Sequence, residues 1–203
     1  MFFSFDGVDG VGKTTQIERF CAWLRERGEQ VVLGRDPGST PLGEKVRELL
    51  LSIDPQTRIS RRSEMLLYMA ARAQLVEELI RPALAEGKIV VSDRYLLANL
   101  AYQGHAGGVD LDAIRQVGQI ATAGVAPDLT FLLDMPHDAA TARIARAPDR
   151  MEQQGEAFRS RLRAGFLAEA QRDPRIVVIN ADQPVDQVHA EIRRHAEAAL
   201  TNR

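Results

Sequence analysis

An α/β fold with a parallel sheet covered on both faces is predicted by two features of the 203-residue chain. Short runs rich in β-branched and aromatic residues alternate with helical patterns from one end to the other. Each run is also apolar on both sides rather than alternating, as parallel strands buried between helices must be. In chain order the strand candidates are Phe2-Phe3-Ser4-Phe5, Gln30-Val31-Val32-Leu33, Ile89-Val90-Val91-Ser92, Leu129-Thr130-Phe131-Leu132-Leu133 and Ile176-Val177-Val178-Ile179. Between them helical patterns run near 13–27, 41–51, 61–86, 110–123, 137–146, 156–172 and 184–200. Two segments resist assignment: His105-Ala106-Gly107-Gly108, read as a flexible turn, and Ala147-Pro148-Asp149-Arg150, between two helices. Such loops are common places for ligands. No internal repeat, low-complexity tract or Gly/Ser linker interrupts the pattern, so residues 1–203 are expected to form a single domain.

Composition narrows the function. Hydrophobic residues make up 45% and charged residues 27%, as in ordinary globular proteins. Lys plus Arg number 26 against 28 for Asp plus Glu, without the basic excess that a nucleic-acid partner would call for. A small phosphate ligand needs only a few local cations, and the balance leaves room for one. The single cysteine, Cys21, forbids an intrachain disulfide and suits a reducing compartment; in a helix it reads as a buried, inert thiol. No apolar run approaches the ~18 residues of a membrane span. Met1 to Asp6 carries no basic leader and reads as a mature strand, so a cytoplasmic protein is expected.

The chemistry is concentrated first in Gly7-Val8-Asp9-Gly10-Val11-Gly12-Lys13-Thr14, which matches G-x-x-x-x-G-K-[ST] at every position. Its glycines allow a tight backbone turn whose N–H groups face phosphate oxygens, and a helix starting at Lys13 adds its positive end. In such a loop Lys13 reaches the β- and γ-phosphates and the Thr14 hydroxyl takes a place on Mg²⁺. The motif directly follows a strand and opens a helix, which is the context that supports it. ATP or GTP binding is therefore expected, with Thr15 beside Thr14 in the same site. A guanine-reading Asn-Lys-x-Asp is absent from the sequence, and the chain is short for a motor or transporter. A small-metabolite kinase remains. Asp93, at the end of its strand beside the loop, is placed to hold Mg²⁺ directly or through water.

Further motifs carry a specific resemblance. Arg35-Asp36-Pro37-Gly38-Ser39-Thr40 resembles the Arg-Glu-Pro-Gly-Gly-Thr loop of thymidylate kinases. Asp93-Arg94-Tyr95 with Ala101-Tyr102-Gln103-Gly104 is similar to their Asp-Arg-Tyr and Ala-Tyr-Gln-Gly signatures. Tyr68-Met69-Ala70-Ala71-Arg72 resembles their Phe-x-Ala-x-Arg segment, and Asp149-Arg150-Met151-Glu152 their lid motif. Pro127-Asp128-Leu129-Thr130 with Leu133-Asp134 is similar to their fourth strand. These motifs stand in family order from residue 3 to about 185.

The resemblance implies a P-loop kinase three-layer sandwich of strand order 2-3-1-4-5, ATP and dTMP as substrates, and a homodimer in which the 61–86 helix is a candidate interface. It implies that Arg35 and Arg94 fork onto the dTMP phosphate. It also implies that Tyr68 stacks on thymine while Arg72 and Gln103 bond its polar edge, that Asp9 accepts the 3′-hydroxyl, and that Tyr102 lies against C2′ and disfavours a ribose. A lid segment near 143–155 is expected. Some members carry an arginine inside the phosphate loop, where this chain has Gly10; others supply it from the lid, here Arg143, Arg146 and Arg150. Arg143 is expected over adenine and Arg146 as the closing arginine, with Arg150 its nearest competitor.

Several positions depart from the family pattern. Asp36 replaces a Glu, Ser39 a Gly and Tyr68 a Phe, while Leu97-Ala98-Asn99 stands where Asp-Ser-Ser is frequent. Asp128 and Asp134 read as structural groups, His105, His137, His189 and His195 lack metal-ligand spacing, and Arg159, Arg161 and Arg163 read as a solvated helix face. The alternatives are a kinase for another nucleotide or deoxynucleoside, and an ATP-binding P-loop protein without turnover.

Overall fold

The computed structural model describes residues 1–52, 56–143 and 155–201. Five strands, β1 (Phe2–Asp6), β2 (Val31–Arg35), β3 (Ile89–Asp93), β4 (Leu129–Asp134) and β5 (Ile176–Asn180), pair in parallel in the order β2-β3-β1-β4-β5. The expected order and direction are those observed.

The period-two alternation of β1 explains the layers. Phe3 and Phe5 face one side, where they pack on Phe20, Trp23 and Leu24 of α1 (Lys13–Glu26) and Val188, Ile192 and Ala196 of α9 (Val185–Thr201). Phe3, Phe20 and Phe131 form an aromatic cluster with edge-to-face contacts at 5.2 and 5.7 Å between centroids. Each such ring, fully buried, contributes about 1.5–3 kcal/mol. Cys21 is buried here, and burial pushes its thiol pKa up, so it packs as an inert group. On the other side Phe2 meets Leu75, Val76 and Ile80, and Leu132 meets Phe158, Leu162 and Phe166 of α8 (Glu156–Arg172).

Two helical expectations need correction. The 61–86 helix is α3 (Arg61–Leu75), a five-residue π-helical turn (Val76–Ile80) and α4 (Arg81–Ala85). Pro82 supplies the cause: it lacks the N–H that would bond Glu78, and its ring crowds that carbonyl, so the turn widens. The segment at 105–108 is not a free turn. After α5 (Leu96–Asn99), residues Leu100–Ala106 continue as a π-helical stretch, and Ala106 is buried. His105 Nε2 lies 2.8 Å from Glu169, whose two carboxylate oxygens both accept from Arg115 Nη2 at 2.9 Å. This cluster ties the π-helical stretch to α6 (Leu111–Thr122) and α8.

The arginines of α8 are also more than a solvated face. Arg163 forks onto Asp134 with two 2.8 Å bonds, and Arg161 donates to the Ala106 carbonyl at 3.2 Å. Asp134 thus has the structural role expected of it, and Asp128 does too, accepting the Phe2 N–H at 2.7 Å.

Candidate active site

The carboxyl ends of the strands gather the charged residues, where open α/β sheets place their ligands. The loop after β1 must turn hard, and Gly7 shows why a glycine is needed: at φ 133° a Cβ would meet the Leu133 carbonyl oxygen at 2.3 Å. Gly12 closes the loop in the left-handed region and α1 begins at Lys13. Lys13 Nζ donates to the carbonyls of Gly7 (3.0 Å) and Val8 (2.9 Å) and lies 3.5 Å from Asp9. Burial, then the nearby Arg94, lowers the Lys13 pKa, while Asp9 opposes the shift. The ammonium is thus held by two neutral carbonyls and the Asp9 carboxylate.

Arg94 follows β3 in the left-handed region at φ 70°, unusual for a residue with a side chain. Its surroundings fix it there. Nη1 donates to the Gly7 carbonyl at 3.0 Å, Nη2 to Asp9 at 2.8 Å and to the Tyr102 hydroxyl at 3.4 Å, and the guanidinium lies 5.2 Å from the Tyr102 ring centroid. Burial works against its charge, but Tyr102, Asp9, Asp93 and Asp6 around it hold its pKa above the ordinary arginine value. Asp6, fully buried below the loop, has its carboxyl pushed up to about 7 by burial, with Arg94 and Lys13 pulling the other way.

Two adjoining cavities open here. The larger, about 1140 Å³, is lined by Asp9 through Gln16, by Arg35, Asp93 and Arg143, and by the loop at Ala181–Val185. The smaller is a slot of about 90 Å³ enclosed by Tyr68, Arg72, Tyr102, Gln103, Asn99 and Pro37, among others. Asp9, Asp36, Arg47 and Arg94 line both. The sequence-derived residues therefore separate into two groups that meet at shared charges. Gly10, Val11, Gly12, Lys13, Thr14 and Thr15 lie in the larger space; Gly7 and Val8 lie behind it as carbonyl acceptors for Lys13. Arg146 and Arg150 lie outside the described residues, as do Asp149 and most of the 143–155 segment.

Some expected contacts are already committed elsewhere. Arg35 lines the larger cavity, half-exposed, with Nη2 3.0 Å from both Glu44 oxygens, so it must exchange partners to hold a phosphate. Arg72 is fully buried: Nε donates to Asp36 at 2.5 Å, Nη1 to the Met69 sulfur at 3.1 Å and Nη2 to the Tyr95 carbonyl at 3.2 Å. Among the described residues three of its five N–H groups are used, which leaves two that can meet a ligand. Ser39 sits at φ 61°, a conformation that favours glycine; its hydroxyl accepts the Arg35 N–H at 2.9 Å.

Thr14 and Asp93 fit a hard divalent cation. Both line the larger cavity, and Asp93 Oδ1 is buried with no hydrogen-bond partner among the described residues, a donor set of the oxygen type that Mg²⁺ takes. Arg47 and the Ala181–Val185 loop are absent from the sequence reading. The loop follows β5, so the strand-end rule alone points to it. Arg47 is three residues after Glu44, the partner of Arg35, on the same face of α2 (Pro41–Leu51).

Comparison with known proteins agrees with this geometry. A family model described as thymidylate kinase matches residues 5–192. The thymidylate kinase of Deinococcus radiodurans is 46% identical over 195 residues, covering 95% of this chain and 94% of its own. That of Bifidobacterium longum is 48% identical over 197 residues, covering 95% of each. A crystal structure of thymidylate kinase from Ehrlichia chaffeensis superposes with a TM-score of 0.79 at 33% identity, covering 97% of this chain and 98% of that one. With the phosphate loop, the sheet order and the paired cavities all in place, the chain belongs to the thymidylate kinase family.

Proposed function

We propose that this protein transfers the γ-phosphoryl group of ATP to dTMP, giving dTDP and ADP, across the boundary between the two cavities. The observation that carries this reading is the set Asp9, Asp36, Arg47 and Arg94, common to a roomy polyanion site and a narrow ring-sized slot.

ATP phosphates lie over residues 7–15, with Lys13 leaving the Gly7 and Val8 carbonyls for the β- and γ-oxygens. Arg143, whose Nη1 is 3.4 Å from the Ala181 carbonyl, borders the adenine end. The dTMP base enters the slot against Tyr68, with the free N–H groups of Arg72 and the Gln103 amide at its polar edge. Its phosphate faces Arg94 and Arg47, joined by Arg35. Asp9 takes the 3′-hydroxyl, and Tyr102, held by Arg94, fills the space a 2′-hydroxyl would need.

Thr14 and Asp93 would hold Mg²⁺, which would supply positive charge against the phosphates. The protein supplies no nucleophile. It aligns two polyanions and gathers cations where charge develops, and those two effects carry most of the barrier reduction. Arg146 is the proposed closing arginine, with Arg150 as alternative. Exposed Leu42, Leu49, Leu66 and Ile120, on α2, α3 and α6, support a homodimer. No helix among the described residues is long and apolar enough to cross a membrane, and a cytoplasmic location accords with the single reduced cysteine.

A coupled ADP-release assay with dTMP, dUMP, UMP, AMP and thymidine tests the reading. Turnover should be highest with dTMP and strongly reduced with UMP. Preference for AMP or thymidine, or no turnover with any of the five, overturns it.

A further inference from the structure

Behind the base slot lies a chain of three buried polar side chains whose direction is fixed from one end. Gln103 Nε2 donates to Glu64 Oε1 at 2.8 Å, and Asn99 Nδ2 donates to Gln103 Oε1 at 2.8 Å. Glu64 is 0% exposed, and Gln103 and Asn99 are each 1% exposed. The two amides line the slot and Glu64 does not. Arg61 Nη1 lies 3.5 Å from the same Glu64 oxygen.

A carboxylate can only accept, whereas an amide can present either end. Glu64 therefore requires the nitrogen of Gln103, which turns the Gln103 oxygen toward Asn99. That oxygen in turn requires the nitrogen of Asn99. Reversing either amide would set two oxygens or two N–H groups face to face at 2.8 Å. What remains is the Asn99 oxygen, buried and with no hydrogen-bond partner among the described residues. A buried acceptor left so is unfavourable until a donor arrives.

We infer that Glu64 is a positioning residue that sets the hydrogen-bond polarity of the slot, so that it offers an acceptor to the ring N–H of an imide base. Thymine and uracil carry that N–H between two carbonyls. Cytosine-type bases have a lone pair at the same nitrogen and meet acceptor with acceptor. Selection against them thus originates at a side chain that touches no substrate. The inference rests on the slot being the dTMP base site.

Glu64→Gln keeps the shape but can donate or accept, so it releases the constraint on both amides. The kcat/KM ratio of dTMP to 5-methyl-dCMP should fall at least about tenfold in this variant, with KM for ATP unchanged. Asn99→Leu, which removes the acceptor and keeps the Glu64–Gln103 bond, should lower the same ratio; it also covers the case in which Glu64→Gln fails to fold. Equal losses for both nucleotides, or an intact ratio in a folded variant with lowered Tm, would show a merely structural Glu64 and overturn the inference. Failure of the wild-type protein to use dTMP would instead sink the assignment of the slot itself.

Discussion

Arg47→Met separates a substrate-binding role from a structural one, because the first predicts an almost unchanged stability and the second a clear loss. Arg47 is half-buried between the cavities and donates to the Pro37 carbonyl at 3.1 Å. Burial, then Arg35 and Arg94, press its pKa downward against Asp93 and Tyr68, so three cations share this edge. Like charges several ångströms apart at an effective dielectric of about 20 repel by on the order of 1–3 kcal/mol. Losing the charged bond to Pro37 costs about 1.5–3 kcal/mol. The two nearly cancel, and methionine keeps the apolar stem, so Tm should move by less than about 3 °C. Binding has no such compensation. Losing a charge-assisted contact to the dTMP phosphate should raise KM for dTMP roughly 10- to 150-fold, with KM for ATP changed much less. Steady-state kinetics beside thermal unfolding gives both numbers. A Tm drop above about 5 °C with KM for dTMP unchanged would refute this reasoning and leave Arg47 as a clamp on the Pro37 loop.

Two further variants probe the slot and the scaffold behind it. Tyr68→Ala should raise KM for dTMP about 10- to 100-fold, the scale of losing one base-stacking aromatic, and leave KM for ATP almost unchanged; a shift confined to ATP would place Tyr68 in the other site. Glu169→Gln tests the cluster that ties the π-helical stretch to α6 and α8. Burial acts to raise the Glu169 pKa, but bonds from His105 and Arg115 outweigh it and hold the carboxyl below its ordinary 4.5. The stabilisation is therefore present above about pH 4.5 and lost as pH falls through the lower folded value. Glu169→Gln should be less stable than wild type by about 1–3 kcal/mol at pH 7, and the gap should close below pH 4 in denaturant titrations. A gap of equal size at both pH values would mean that packing, not charge, is what the substitution disturbs.

Much of this molecule is legible in the sequence because its signals are contiguous. The five strands read as unbroken apolar runs, and Gly7–Thr14 states both its turn and its ligand in eight residues. Resemblance added the sheet order and, of the slot residues, Tyr68, Arg72, Tyr102 and Gln103. The departures had non-contiguous causes. π-helical stretches have no distinctive side-chain period, so Val76–Ile80 and Leu100–Ala106 were hidden, although Pro82 marks the first. Arg47 reaches the site from a helix whose other face packs on α3 through Val46 and Leu50. The pairing of Glu64 with Gln103 spans 39 residues, and that of Arg72 with Asp36 spans 36. Such distances are set by the fold and carry no local pattern. Arg163 shows the same limit: at a helical spacing that suggests solvent, it meets Asp134 of β4.

The most direct measurement follows the phosphoryl group itself. Purified protein is incubated with ATP labelled at the γ-phosphate, Mg²⁺ and dTMP, and the products are separated. Label should appear in dTDP, at a rate far above its appearance in inorganic phosphate, and folded Lys13→Ala should give no dTDP. Label found mainly in inorganic phosphate, or dTDP formed by Lys13→Ala at the wild-type rate, would contradict transfer between the two cavities through the Gly7–Thr14 loop.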